Sequence, residues 1–431
     1  MSSVLILGGG VTGLAAGRAS GAPVYEARDA PGGICASYYM KPGGSERLRS
    51  RPDDTSTYRF EIGGGHWIFG GDPAAKRLMR RLVPMQAYRR QSAVYLPSRD
   101  LRVPYPLQNH LSRFDDDVAA SALTDMVDAP DEPRATMDDW LRCSFGNTLC
   151  DLFFDPFHEL YTAGLYTDIA PQDPYKSPAD VEDVVDGAFG RADEVGYNVE
   201  FLYPEGGLNV LMGRLADQCD VRYGKRAVEV DVDTKTVAFA DDSTASYDRL
   251  VSTLPLNRMI EMADLTTPSR PDPHTSVLVL NVGGVRGPEC PDDHWVYVPR
   301  SDSGFHRVGF YSNVDDDFLP ADTDDRVSIY VERAYRGDAD PSSGEIDRYA
   351  DAVVEELRKW GYIEEAEVVD PTWIDVAYTW SWPSSTWKQE ALDTLDAHDI
   401  LMVGRYGRWV FQGIADSLRD GLFVGETVRD L

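Results

Sequence analysis

The sequence predicts an α/β protein of the doubly wound kind, on three observations. An apolar run leads straight into a glycine-rich turn at the start of the chain. Strand-like and helix-like runs alternate again near its end. Between them lie a polar stretch with helical patterning and a region of short apolar strands.

The opening reads as a complete strand–helix–strand unit. Residues 3–7 (Ser-Val-Leu-Ile-Leu) form an apolar strand, Gly8-Gly9-Gly10-Val11-Thr12-Gly13 a turn, residues 14–20 an Ala-rich helix, and residues 23–27 a second strand. Gly8 and Gly10 let the main chain turn tightly and approach a pyrophosphate, while Gly13 lets the helix pack close to the strand. The helix N-terminus offers unpaired N–H groups to phosphates. Glu26, at the end of the second strand, is placed for ribose hydroxyls. The unit therefore predicts a bound dinucleotide.

Residues 72–160 read as helical and charged, with proline interruptions. Strand alternation comes next over 226–254, with Val228, Val230 and Val232 in phase, and again at 276–282, 307–311 and 327–333. An amphipathic helix is expected at 345–360, a buried strand at 400–404 and a closing helix at 417–428. These elements predict a discontinuous dinucleotide domain (1–75 with 200–260 and 395–431), a mainly helical insert (76–199) and a strand-rich domain (261–394).

The chain has 431 residues, with 72 acidic against 42 basic and a formal net charge of -30. Such a field repels nucleic acid and anionic membranes. The dispersed acids, as at Asp115-Asp116-Asp117, read as a surface solvated in strong salt, which points to a halophilic source. No apolar run is long enough to span a bilayer, and the N-terminus lacks signal-peptide character, so a cytoplasmic location is expected. Cys35, Cys143, Cys150, Cys219 and Cys290 form no CxxC pair and read as free thiols of a reducing compartment; no metal-ligand spacing occurs.

The residues just after Glu26 point to FAD. Arg28-Asp29-Ala30-Pro31-Gly32-Gly33 resembles the second glycine pair of the two-dinucleotide flavoproteins, where Gly32 and Gly33 would lie near the ribityl chain and phosphates. Gly404-Arg405-Tyr406-Gly407, between the last strand and the last helix, resembles the turn at their flavin edge. The fold expected is thus a Rossmann-type FAD-binding domain with a helical insert and a second, antiparallel-sheet substrate domain.

Five motifs in one order carry a narrower resemblance: Gly64-Gly65-His66-Trp67-Ile68-Phe69, Val103-Pro104-Tyr105-Pro106-Leu107-Gln108-Asn109, Trp295-Val296-Tyr297-Val298-Pro299, Phe305-His306-Arg307 through Ser312-Asn313, and Gly404-Arg405-Tyr406-Gly407-Arg408-Trp409. From residue 4 to about 428 the chain resembles the UDP-galactopyranose mutases, most of all their eukaryotic-type branch, within the amine oxidase and protoporphyrinogen oxidase-like flavoproteins. The resemblance implies conversion of a nucleotide-linked pyranose to the furanose with no net redox change, reduced FAD acting as nucleophilic catalyst. NAD(P)H would be an external reductant. It implies His66 beside the flavin and Arg307 on the substrate diphosphate as catalytic residues. Gly8, Gly10, Gly13, Glu26, Gly32, Gly33, Gly64, Gly65, Val228, Gly404 and Arg405 would hold the cofactor. Tyr105, Gln108, Asp155, Tyr297, Trp382 and Phe411 would line the substrate site.

The chain also departs from that pattern. Asp155 stands where the family has a second pyrophosphate arginine, Trp382 and Phe411 replace phosphate-bonding tyrosines, and Val314 replaces another. All four changes are expected at the diphosphate–sugar end, so the flavin chemistry could persist on an altered substrate. The competing expectation is an FAD-dependent oxidoreductase of the amine oxidase, protoporphyrinogen oxidase or desaturase type, whose relatives share the run Leu250-Val251-Ser252-Thr253-Leu254-Pro255. A flavoprotein without catalysis is the third.

Overall fold

A computed structural model describes residues 3–128, 134–172, 180–191, 199–321, 323 and 325–429. Five parallel strands form the dinucleotide sheet, in the order Val221–Arg222, Val24–Tyr25, Val4–Leu7, Arg249–Ser252, Ile400–Met402. The central strands are apolar on both faces: Ile6, Val24 and Val251 pack with Ala16 and Val428 of the flanking helices, and Leu5, Leu7 and Leu250 pack with Val230, Val237 and Phe239 of a three-stranded antiparallel sheet. The first helix, Val11–Ser20, begins three residues before the sequence pattern suggests, directly at the glycine turn. This matters for function, since it brings the helix N-terminus to the loop.

The closing helix, Ile414–Arg429, lies along the first with main chain almost touching main chain. A Cβ at Gly421 would stand 2.2 Å from the Thr12 carbonyl oxygen, and one at Gly425 would stand 2.5 Å from that of Ala16. On the other side, a Cβ at Gly17 would meet Val24 at 2.4 Å. Glycine at these positions sets how closely the two helices and the sheet approach.

The second large sheet has seven strands, in the order Ile363–Thr379, His274–Arg286, Arg326–Arg336, Arg307–Phe310, Trp295–Tyr297, Ser92–Leu96, Leu101–Pro104. It is antiparallel but for one pair, Trp295–Tyr297 with Ser92–Leu96. Strand alternation divides its side chains. Leu278, Leu280, Val282, Ile329 and Val331 pack with Val353 and Leu357 of the helix Ser343–Lys359. Val277, Val279 and Tyr330 turn to the opposite face, toward the dinucleotide domain.

The stretch expected to be helical over 72–160 contains three strands, Met85–Arg89, Ser92–Leu96 and Leu101–Pro104, so the insert is not helical in its first part. The reason is tertiary. Ala93, Val94, Leu96 and Val103 are buried by joining the edge of the seven-stranded sheet, a pairing partner distant in sequence. Helices come after them at Asp116–Val127, Met137–Leu149 and Asp155–Tyr161, around Leu141, Phe145, Leu149 and Phe154. Among the described residues no helix is long and apolar enough to cross a membrane, and all five cysteines are free.

The glycine contacts make a prediction of opposite signs. Gly421→Val forces the closing helix off the first and should destabilise the protein by about 1–3 kcal/mol, the range for overpacking. Gly213, inside the helix Leu208–Ala216, has open space where a Cβ would stand, so Gly213→Ala should stabilise by about 0.4–1 kcal/mol. Denaturant unfolding of both variants reads the two shifts.

Candidate active site

Three glycine turns converge on the start of the first helix. Gly8 sits at φ +98°, and a Cβ on Gly13 would stand 1.8 Å from the Gly8 carbonyl oxygen, so loop and helix close on each other without side chains. Gly10 caps the helix with no side-chain bond, and its hypothetical Cβ meets nothing within 4 Å. The first helical N–H to reach a carbonyl is that of Leu14, on Gly10. The N–H groups before it have no acceptor in the helix and point toward the loop. Gly32 bridges to Gly10 and donates its N–H to the Gly9 carbonyl at 2.8 Å. In the third turn, a Cβ on Gly404 would stand 2.6 Å from Thr12 Oγ1.

Glu26 is buried and knits two of these turns together. Its carboxylate accepts the N–H of Gly9 at 2.6 Å and of Arg28 at 2.8 Å. Each oxygen keeps a further lone pair for a hydroxyl. The N–H groups of Gly224 and Lys225 dock on the carbonyls of Arg28 and Glu26. Just after them, Val228 is an exposed apolar side chain on the strand Ala227–Asp231. A main chain free of side chains, a helix N-terminus and a buried carboxylate with lone pairs to spare together fit a dinucleotide.

The glycine–histidine loop rests on the strand Arg326–Arg336. A Cβ on Gly64 would stand 2.7 Å from Glu332 Oε1, and one on Gly65 would stand 2.2 Å from the Tyr330 hydroxyl. Glu332 faces Arg307 across the ladder. Arg307 Nη2 donates to both carboxylate oxygens at 2.6 Å, and Nε to one at 3.2 Å. His306 Nε2 is 3.6 Å from the same carboxylate. Burial works against the Glu332 charge, but Arg307 and His306 overcome it and hold the carboxyl down at about 2. Burial, with the charge of Arg405, pushes His66 down to about 4 against the pull of Glu332, so the ring is neutral at neutral pH.

Aromatic rings surround this group of charges, and the space between them is termed the cleft. Tyr105 and Tyr297 lie 4.8 Å apart, and Phe157 meets Tyr297 at 5.4 Å and His306 at 6.0 Å. Tyr161 meets His306 at 5.2 Å and Tyr378 at 4.9 Å. The Arg405 guanidinium stands 5.6 Å from the Tyr378 ring and 4.4 Å from Phe411. It donates to the carbonyls of Ala377 and Gln412, and among the described residues it makes no ion pair. Gln108 is buried in the turn Leu107–Arg113.

Two expectations need correction, those for Asp155 and Val314. Arg307 is paired, since Glu332 balances its charge and leaves Nη1 as its open edge. Asp155 does not face the cleft. It shares the helix Asp155–Tyr161 with Phe157 and Tyr161, but helical rotation turns it away from their side. There it pairs with Arg142, which also holds Asp138 at 3.1 Å. With Asp151, Glu159, Tyr166 and Arg300 it lines a separate surface cavity of about 280 Å³. Val314 is buried in the core beside Tyr311 and Phe318. Trp382 packs at the edge of the same aromatic cluster, its indole N–H on the Pro271 carbonyl at 2.9 Å. Sequence reasoning missed Glu332, Tyr330, Tyr378, Phe157 and Tyr161. For Glu332 a signal exists, an acid directly after the apolar run Val327-Ser328-Ile329-Tyr330-Val331 in strand phase with it.

Residues 22–418 match the protein family described as flavin containing amine oxidoreductase. The chain is similar to the structure of a reduced UDP-galactopyranose mutase, with TM-score 0.85 and 21% identity over 99% of this chain and 94% of that one. It is similar to putrescine oxidase bound to putrescine, with TM-score 0.58 and 18% identity over 100% and 99%. A fatty acid isomerase from P. acnes that produces CLA matches with TM-score 0.57 and 15% identity over 98% and 97%. At these identities the likenesses carry the fold.

The ion pair yields a test. Glu332→Gln leaves the partly buried Arg307 charge without its buried counter-ion and should cost up to about 3 kcal/mol of stability. Glu332→Leu combined with Arg307→Met removes both charges and should recover most of that loss. Chemical denaturation of the three proteins checks this; equal losses in the single and double variants would show that the charge is not what matters.

Proposed function

Because the chain belongs to the flavin containing amine oxidoreductases, a family its glycine cradle suits, we propose that it is an FAD-dependent enzyme that interconverts the pyranose and furanose forms of a nucleotide-linked sugar. The observation that carries this reading is the charge of the cleft. Arg307 and Arg405 face one carboxylate, Glu332, with His66 neutral, so one positive charge is in excess. In a chain of net charge -30, that local excess selects an anionic ligand and disfavours a protonated amine. Tyrosine rings and hydroxyls at Tyr105, Tyr297 and Tyr378 suit a polyhydroxylated ring.

The cofactor's ADP half would lie on Gly8, Gly10, Gly13, Gly32, Gly33 and Glu26, and its ring system by the Gly64–His66 loop and Gly404–Arg405. When bound and reduced, it supplies a nucleophile for the anomeric carbon; a pyridine nucleotide would be the reductant. The chain's own part is to bind and orient. Arg405 and Nη1 of Arg307 donate to the leaving diphosphate, where guanidinium hydrogen bonds to charged oxygens are strongest. The aromatic wall excludes water from the reacting carbon. His66 offers a hydrogen-bonding ring without adding charge. Oxidation of an anionic substrate by the same cofactor is the second reading, favoured by the missing hydroxyl at Phe411 and the compensated charge of Arg307.

Turnover separates the two. Under anaerobic conditions, with a panel of nucleotide sugars, the furanose product should appear only after chemical reduction of the holoenzyme, and the flavin should stay reduced over many turnovers. Bleaching of the oxidised flavin in step with substrate loss would establish the oxidase instead.

A further inference from the structure

We propose that the helix Pro73–Leu82 is a docking face for a short acidic segment of another protein. The residues of this helix divide cleanly around its axis. Ala75, Leu78, Met79 and Leu82 turn inward, to a core they share with Leu418 and Leu422 of the closing helix. Lys76, Arg77, Arg80 and Arg81 fall on one arc of the opposite side, where the three arginines are exposed. Residues 73–99 hold seven basic residues and no acid, in a chain whose acids outnumber its bases 72 to 42.

These four cations are uncompensated. Among the described residues none of them makes an ion pair or a side-chain hydrogen bond. The carboxylates of the cap and of the closing helix are engaged elsewhere. Asp72 accepts the N–H groups of Ala74 and Ala75 at 2.8 and 2.9 Å. Asp416 and Asp420 pair with Arg419 at 3.5 and 2.9 Å. The helix dipole accounts for Arg80 and Arg81, in the last turn. It does not account for Lys76 and Arg77, nearer the other end. The pairs Lys76 with Arg80, Arg77 with Arg80 and Arg77 with Arg81 also set like charges on neighbouring turns, which weakens a helix. A ligand that brings negative charge removes that repulsion.

The extent of the face selects the ligand. Ten helical residues run about 15 Å, and the chain as a whole has a net charge of -30. A nucleic acid or an anionic bilayer reaches past the helix onto surface that repels it. No large apolar side chain is exposed over residues 73–90 to enter a bilayer. Cations this exposed cannot enclose a free small anion. A short run of Asp and Glu fits, its carboxylates meeting guanidinium forks as acidic motifs meet arginine clusters elsewhere. The inference owes nothing to the nucleotide-sugar reading.

Fluorescence anisotropy of a labelled decaglutamate peptide with the FAD-loaded protein tests it. The wild type should bind in dilute buffer and lose affinity steeply as salt is added. Neutralising the face, by Arg77→Gln with Arg80→Gln and Arg81→Gln, should weaken binding by about tenfold or more, as expected for lost hydrogen bonds to charged groups. Flavin content and circular dichroism should not change. The same loss of charge on the helix Ser343–Lys359, by Arg348→Gln with Arg358→Gln and Lys359→Gln, should leave the affinity as it was. Equal losses in the two variants, or a wild type that does not bind the peptide, overturn the assignment. An oligothymidylate of matching length, or phosphatidylglycerol vesicles, bound more tightly through the same arginines would overturn it too. Self-association of the wild type that the Arg77, Arg80 and Arg81 variant loses would give the face to a second copy, and contradicts it equally.

Discussion

How near one main chain can come to another sets the architecture. Around the first turn of the first helix, the Gly8 loop, the Gly404 turn and the closing helix all approach to distances that no side chain could share. Cβ atoms at Gly13, Gly404 and Gly421 would stand 1.8, 2.6 and 2.2 Å from their neighbours. The opening βαβ unit and the C-terminal strand–turn–helix are thereby clamped into one body. The same approach leaves peptide N–H groups at a helix start with nothing but a ligand to receive them. Packing and binding are one constraint here, because the absent side chains that let the helices touch also leave the loop open at Gly10.

Charge obeys a second logic. The surface carries a large negative excess, yet the interior pairs its ions closely. Arg307 and Glu332 pair beneath the histidine loop, and the fully buried Arg59 reaches Asp315 at 3.0 Å. Near Arg59, burial raises Glu61 to about 7, against the hydrogen bonds from Tyr203 and Ser37. The cleft inherits a small positive remainder from Arg405, which carbonyls and rings hold rather than a carboxylate. An anionic ligand would meet a positive remainder here in an otherwise negative protein.

The sequence was most legible where chemistry is local. The glycine loop, Glu26 and the Gly32–Gly33 pair could be read because they belong to one strand–helix–strand unit, in which Glu26 holds Gly9 and Gly32 docks on Gly9. The strands at 85–96 could not, since the partners that place them, at 200–204 and 295–297, are 111 or more residues distant. Asp155 aligned with a ligand position, but one helical face separates it from the cleft, and that rotation is invisible in an alignment of types. Arg307 could be picked out by its motif, but its neutralisation by Glu332 depends on the register of two strands 25 residues apart. Trp382 and Phe411 were recognised as changed, yet only the structure shows that one joins Arg270 and the other Arg405.

The claim on which the rest stands is that the glycine cradle binds FAD, and Gly10 tests it most directly. A side chain there meets no protein atom within 4 Å, so Gly10→Leu should leave the fold intact while filling the space a pyrophosphate would take. Flavin absorbance of the purified proteins, near ~450 nm, read beside circular dichroism, is the measurement. Stoichiometric FAD is expected on the wild type and none on a folded Gly10→Leu variant. A wild type that takes up no flavin, or a variant that keeps it, would contradict the claim.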